Sequence, residues 1–359
     1  MSDDIGPTAG ESILRYCFEG ARENANRRRQ WLPGKHGTRY TVIMDRIENN
    51  PEIKPNLVVV CGATASGKTR LGVELARRYD GEILSVDSRQ VYRGLDIGSG
   101  KDLHEYETPD GRVPYHLIDI VDPQQGYSLW NYIGDFDAAF VEVTGRGHLP
   151  VAVGGTGLYL EAVLRGYEVP EKPADEALRA ELMQESHVAL DRRLRQLDMA
   201  RYRTLDPDCN KRRLVRALEV ALSEKDNGRV RVSGVSANLR PLVLTIRWDR
   251  TVLRQRLATR LDERLEAGLV EEVQRLVDAG ITRPRLDQLG MEFRHVGRHV
   301  LGDTSFEQMR TDLRQAIGQL VKRQDTYFRG MERRGTPTHW IDGDDHAAAI
   351  AIVEAALRV

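Results

Sequence analysis

The stretch GATASGKT, residues 62–69, fills every fixed position of the pattern G-x-x-x-x-G-K-[ST]. Set between a strand and a helix, such a loop turns its backbone amides inward on an anion, and the helix N-terminus adds partial positive charge. Gly62, Ala63, Thr64, Ala65, Ser66, Gly67, Lys68 and Thr69 are therefore the candidate phosphate cradle. Lys68 brings a full charge to phosphate oxygens, and Thr69 a hydroxyl for Mg2+. The loop alone does not say which phosphate.

Other residues narrow the chemistry. Asp87 closes the run ILSVD, and in open α/β sheets ligands sit outside the carboxyl ends of strands. One reading makes Asp87 the acidic residue that ends the strand beside the loop strand and holds Mg2+ through water. Gly154-Gly155-Thr156 closes another apolar run without a carboxylate. Those glycines either form a tight turn or make room for something bulky to approach the backbone. Arg256, Arg260 and Arg264 recur every four residues on one helix face. Glu263 and Glu266 could neutralise them, or one arginine could turn into the site opposite Lys68. Between Arg192 and Arg216 there are nine Lys or Arg against three Asp or Glu, and Arg212, Arg213 and Arg216 share about one helical side. A solvated charged face is the ordinary meaning of such a run, and contact with RNA phosphates is the sharper one. His104, His116, His295 and His299 offer no metal-ligand spacing. The pair four apart, His295 and His299, lacks the intervening glutamate of HExxH.

The elements that must hold these residues follow from hydrophobic patterning. LVVVC (57–61) reads as a buried parallel strand, and TRLGVELARRY (69–79) as the helix after the loop. ILSVD (83–87), YHLIDIV (115–121) and PVAVGG (150–155) are further strands, with a helix over 128–143 and another near Leu158. LVLTIRW (242–248) returns to the sheet, long helices follow at 250–279 and 305–329, and HWID (339–342) is a last short strand. This alternation predicts an α/β fold, a parallel sheet flanked by helices of the P-loop NTPase-like kind, with a mostly helical insertion subdomain. The expected division is an N-terminal extension (1–54), a core (55–171 and 239–345), the helical insertion (172–238) and a C-terminal helix (346–359).

Bulk properties exclude several classes. A chain of 359 residues, 40% hydrophobic, can bury one sizeable core with an appended subdomain. A formal net charge of -1 carries no global basic field, so any nucleic-acid surface is local. Cys17, Cys61 and Cys209 lie far apart, without a CxxC pair, which argues against a disulfide framework or zinc site. The start, MSDDIGPTAG, lacks an apolar signal region, and no run of about 18 apolar residues marks a membrane span. The expectation is a cytoplasmic protein without membrane association.

Taken together, GATASGKT, VDSRQVYRGLDIGSGK (86–101), YHLIDIVDP (115–123), YSLWNYIGDF (127–136), VGGTGLYLEAVLRG (153–166), KRRLVRALEV (211–220) and LVKRQDTYFRG (320–330) resemble the tRNA dimethylallyltransferase (isopentenyltransferase) family. The resemblance spans most of 57–342 and implies Mg2+-dependent transfer of a dimethylallyl group from its diphosphate to N6 of the adenine 3′ of the anticodon (position 37). It assigns Thr64 through Thr69 to the diphosphate, with the metal at Thr69, Asp87 to the adenine amine as base, and Arg260 to a second diphosphate clamp beside Lys68. It assigns contacts with the tRNA anticodon stem-loop to Asp87, Ser88, Arg89, Gln90, Thr156, Arg179, Arg212, Arg213, Leu214, Val215 and Arg216. Family precedent, and the lack of an obvious coiled coil, favour a monomer.

Two segments depart from the family pattern. After DIG the family usually reads TxKP, where this chain has Gly98-Ser99-Gly100-Lys101-Asp102. Later a GY[RK]E-like segment becomes Gly290-Met291-Glu292-Phe293-Arg294. Three other readings remain open on residues alone: an isopentenyltransferase for free adenine nucleotide, a P-loop small-molecule kinase, and a non-catalytic RNA-binding protein.

Overall fold

Every residue of LVVVCG is buried, as only a strand covered on both faces requires. It forms β1 (Leu57–Gly62), near the centre of a six-stranded parallel sheet. The computed structural model describes residues 54–170, 176–203, 205, 209–224 and 230–357. All but the last residue of the expected N-terminal extension, and Cys17 with it, lie outside the described residues.

After β1 come α1 (Lys68–Arg78), β2 (Gly81–Ser85), the short α2 (Asp96–Ser99), β3 (Tyr115–His116), α3 (Leu129–Gly145), β4 (Leu149–Gly154) and α4 (Gly157–Arg165). The insertion contains α5 (Glu176–Leu182), α6 (His187–Leu197), α7 (Met199–Tyr202) and α8 (Lys211–Glu224). β5 (Pro241–Arg247) then returns to the sheet. It is followed by α9 (Arg250–Glu266), α10 (Leu269–Asp278), α11 (Arg283–Leu289), α12 (Met291–Val300), α13 (Phe306–Arg333), β6 (His339–Asp342) and α14 (His346–Leu357).

The strand order is β6-β5-β1-β4-β2-β3, parallel throughout. Alternate residues of the strands feed two cores. Leu57, Val59 and Cys61 pack with α3 and α4 on one face, whereas Val58 and Val60 pack with Leu71 and Leu75 of α1 and Val353 of α14 on the other. Helices α9 to α13 enclose a third cluster, which takes in Val91 and Leu95 from the segment after β2. The insertion has its own small core of Leu182, Leu190, Leu194, Leu214 and Leu218. At its stem, Val169–Pro170 pairs antiparallel with Val230–Arg231.

Three expectations are corrected. The strand expected over 115–121 stops after His116, because Leu117 (φ 66°) and Asp119 (φ 57°) adopt left-handed backbone that a strand cannot contain. The helix expected over 250–279 is two helices, broken at Gly268 (φ 99°). Lastly, β2 is not beside β1. β4 lies between them, so the strand next to the loop strand ends in Gly154 and not at Asp87.

Asp87 nonetheless reaches the site, because the chain leaving β2 crosses over the end of β4. The Val86 N–H donates to Val153 O at 2.7 Å, and the Thr156 N–H donates to Val86 O at 3.1 Å. A Cβ on Gly154 would overlap the Val86 carbonyl and its carbon. Gly154 therefore admits the protein's own backbone, whereas Gly155 leaves room for the Gln324 side chain and lines the cavity. Gly154→Ala is expected to cost about 3 kcal/mol or more, since neither backbone can yield without breaking the crossing. Chemical denaturation measures this loss; a cost below about 1 kcal/mol would show the crossing to be plastic.

Candidate active site

The phosphate loop is held in shape before any ligand arrives. Its turn needs left-handed backbone at Ala65 (φ 62°) and Gly67 (φ 89°), and α1 begins immediately at Lys68. The first amides of α1 have no partner within the helix and present their N–H groups as anion donors. Gln324 of α13 braces the loop: its Oε1 accepts from Thr64 N at 2.9 Å and from Thr64 Oγ1 at 3.2 Å, and its Nε2 donates to Gly155 O at 3.0 Å. One amide thus ties the loop to the end of β4. On the other side, Trp248 Nε1 donates to Ser66 O at 3.0 Å and Arg256 Nε donates to Ala65 O at 2.9 Å. The Arg256 guanidinium lies 4.4 Å from the Trp248 ring centre, so the two residues act as one support. Thr64 was expected to cradle phosphate with its amide, but that N–H is already committed to Gln324. Arg256 braces the loop in the same way.

Asp87, Ser88, Arg89, Gln90 and Thr156 line the same cavity, whose volume is about 870 Å3. Asp87 Oδ1 accepts the Arg89 N–H at 2.8 Å, and no protein donor reaches its Oδ2 among the described residues. Ser88 N donates to Thr156 Oγ1 at 3.1 Å, which locks the crossing chain to the start of α4. Arg89 Nη1 donates to Gln288 O at 2.6 Å. Gln90 is buried; its Oε1 accepts from Ser85 Oγ at 2.8 Å and its Nε2 donates to Gly100 O at 3.0 Å. Both ends of that amide hold protein, so Gln90 positions the wall and is a poor candidate for an RNA contact.

The opposite wall is the arginine face of α9. Arg256, Arg260 and Arg264 all line the cavity, so the stripe is no ion-paired surface with Glu263 and Glu266. Arg260 instead pairs with Asp102, and Arg264 Nη1 lies 3.9 Å from Glu292 Oε1. The Arg264 Nε is buried without a hydrogen-bond partner among the described residues. Burial, then the nearby Arg260 guanidinium, pulls the Lys68 ammonium down from 10.5 to about 8, against the opposing pull of Asp87 and Asp102. Burial followed by Arg260 also lowers Arg264, whereas burial raises the Glu292 carboxyl. Cations thus crowd this end of the cavity in a way that an anionic ligand would relieve.

Thr69 also lines the cavity and makes no side-chain hydrogen bond to the described residues. Among the described residues, no group of three or more His, Cys, Asp or Glu could hold a metal ion. Thr69 therefore fits an ion carried in largely by the phosphates themselves. The structure does not bring the insertion's residues into this cavity. Arg179 forks onto the buried Glu219 at 3.0 and 2.9 Å, and Arg216 reaches the same carboxylate at 3.4 Å. The Leu214 and Val215 side chains are buried in the insertion core. Arg212 and Arg213 are exposed. Gln324, Trp248, Asp102 and Glu292 were missed as site residues. Gln324 stood within the quoted segment LVKRQDTYFRG, and Asp102 and Glu292 within the two departures from the pattern.

The chain matches two family models: IPP transferase over residues 90–331 and Isopentenyl transferase over residues 55–112. It is 50% identical over 288 residues to tRNA dimethylallyltransferase 2 of Syntrophotalea carbinolica, covering 80% of this chain and 94% of that protein. It is 49% identical to tRNA dimethylallyltransferase 1 of Geotalea daltonii, covering 83% and 95%. Among solved structures, the tRNA isopentenylpyrophosphate transferase of Bacillus halodurans superposes with a TM-score of 0.60 at 32% identity, covering 84% of this chain and 95% of that one. With the loop, the crossing at Gly154 and the arginine wall all in place, the chain belongs to the IPP transferase family.

Proposed function

We propose that this protein transfers a dimethylallyl group from dimethylallyl diphosphate to the exocyclic N6 of the adenine immediately 3′ of the anticodon, position 37, of tRNA. The observation that carries the reading is the convergence of Asp87 and the Lys68 loop on one cavity whose intervening strand has no carboxylate. A nucleotide hydrolase needs an acidic residue there for metal and water. A leaving diphosphate needs only charge stabilisation on one side and a base on the other.

The roles follow from charge. As the C1–O bond of the donor breaks, negative charge collects on the departing diphosphate while the allylic carbon becomes cationic. Amides of Ala65, Gly67, Lys68 and Thr69, with the Lys68 ammonium and Arg260, face the first charge, an electrostatic contribution of several kcal/mol. Mg2+ bound with the diphosphate at Thr69 would add further stabilisation of the leaving oxygen. Adenine N6 is a weak nucleophile because its lone pair is delocalised into the ring. Asp87 Oδ2, with no protein donor, accepts a hydrogen bond from the amine and takes its proton as the N6–C1 bond forms. Val252, Met291 and Leu320 supply apolar lining suited to the prenyl tail. An adenine must leave its stack to enter, and loop RNA makes this less costly. Arg212 and Arg213 on the insertion would contact RNA phosphates, and a tRNA substrate places the work in the cytoplasm.

Radiolabelled dimethylallyl diphosphate offered with unmodified tRNA, AMP or ATP tests the assignment. Label is expected in tRNA. Label in AMP alone would replace this reading by the free-nucleotide one, and phosphate transfer from ATP by the kinase one. In the same assay, Asp87→Asn is expected to lower the transfer rate at least 100-fold while tRNA affinity changes by no more than a few-fold. Because Lys68 titrates near 8 in the free protein, donor affinity is expected to be full below that pH. Above it, affinity falls by up to about tenfold per pH unit, as the deprotonated amine loses its attraction for diphosphate. Calorimetry across pH 7–10 reads this limb, which should vanish in Lys68→Met. Arg212→Ala is expected to weaken tRNA binding and lower the slope of log K against log salt by about 0.7–0.9. An unchanged slope would make that face merely solvated.

A further inference from the structure

Aligned on Asp96-Ile97-Gly98, the proline of the family pattern TxKP falls on Asp102 of this chain. Three anchors fix the segment that carries it. Glu272, itself buried, accepts the N–H groups of Asp96, Ile97 and Gly98 at 2.9, 2.7 and 2.9 Å. Lys101 is fully buried between the carboxylates of Asp96 and Asp119. Gly100 O is held by Gln90, and Gly100 itself leaves the space through which the Arg264 guanidinium passes. Asp102 follows in left-handed backbone (φ 48°), and its carbonyl accepts the Glu105 N–H at 2.9 Å. With the backbone so constrained, its carboxylate meets Arg260 from inside the cavity wall.

We propose that Asp102 is a built-in stand-in for the diphosphate. In the free protein it neutralises the Arg260 guanidinium, and the ligand's phosphate must displace it. The inference rests on the reading of this cavity as a prenyl diphosphate site, with Arg260 as a clamp. Lys68, Arg260 and Arg264 line the same end of the cavity, and the Asp102 carboxylate, paired with Arg260, stands among them as a built-in negative charge. An empty site without such a carboxylate would hold small inorganic anions. A filled site with it retains a competitor that regains Arg260 as diphosphate leaves. Asp102 therefore lowers the affinity for product and selects for ligands that bring more than one phosphate charge.

Calorimetric titration of the full chain with inorganic diphosphate and Mg2+ tests the idea in wild type, Asp102→Asn, Arg260→Gln and the double variant. Asp102→Asn is expected to bind diphosphate five- to tenfold more tightly than wild type. That gain should disappear in the Arg260→Gln background, because the competition is for that one guanidinium. Equal affinity in wild type and Asp102→Asn overturns the proposal and leaves a structural residue. Weaker binding with a higher Mg2+ requirement also overturns it and makes Asp102 a metal ligand. Thermal melting guards against misfolding, since a variant that melts lower but binds more tightly still supports the competition. Wild-type protein that binds neither inorganic nor dimethylallyl diphosphate removes the underlying reading as well, an outcome distinct from equal affinities.

Discussion

The site depends on one close approach, the Val86 backbone lying against Gly154. Parallel sheets place ligands at strand ends, but strand order decides which ends are neighbours. Here β2 is separated from the phosphate loop by β4, so a carboxylate after β2 would ordinarily stand a full strand away from the anion. The chain closes that gap by riding over the end of β4, where hydrogen bonds from Val86 to Val153 and from Thr156 to Val86 fix the crossing. Only a residue without Cβ permits it. The same glycine-rich end receives Gln324, whose amide links Gly155 to Thr64. Asp87 and the glycine-rich loop thus share one cavity through backbone geometry, with no salt bridge between them among the described residues.

The cradle illustrates preorganisation against charge. Its carbonyls at Ala65 and Ser66 are held from outside by Arg256 and Trp248, which keeps the amides turned inward. A loop free to relax would turn carbonyls towards Lys68, which already has Ala63 O at 3.4 Å. Burial first, and then the neighbouring Arg260 guanidinium, depresses both Lys68 and Arg264 in the pocket that the open loop leaves. Strain of this kind lies where an anionic ligand removes it.

Much of this was legible in the sequence. β1, α1, β4 and β5 came from short apolar runs bounded by glycine or proline, within a residue or two of their observed limits, and the parallel sheet with flanking helices followed from their alternation. Left-handed backbone at Leu117 and Asp119 was not legible, since neither residue type announces it. Nor was strand order: local patterning carries no information about which strand lies beside which, and so one reading could set Asp87 next to the loop strand. Arg256, Arg260 and Arg264 were visible as a stripe, but their three separate tasks depend on partners 158 to 191 residues earlier for two of them, Asp102 and Ala65. Gln324 was visible only within a quoted segment, and its own task was not, because a single amide in a polar helix resembles any solvated residue.

The contrast between the two kinds of arginine bears on how chemistry and RNA recognition divide. Those of α9 point into a cavity, where each charge is worth more because water is scarce and partners are few. Those of the insertion stand over a small separate core, where Glu219 gathers Arg179 and Arg216 and leaves Arg212 and Arg213 exposed. Exposed charges are screened by salt, and their attraction for a polyanion reaches about a Debye length with no demand for fixed geometry. A surface of that kind can hold a stem by its backbone while one base is drawn into the cavity. On the proposed function, substitutions there act on RNA affinity and its salt dependence, and substitutions on α9 on the diphosphate. No described residue of the insertion lines the cavity that the α9 arginines face, so the two sets can be substituted separately.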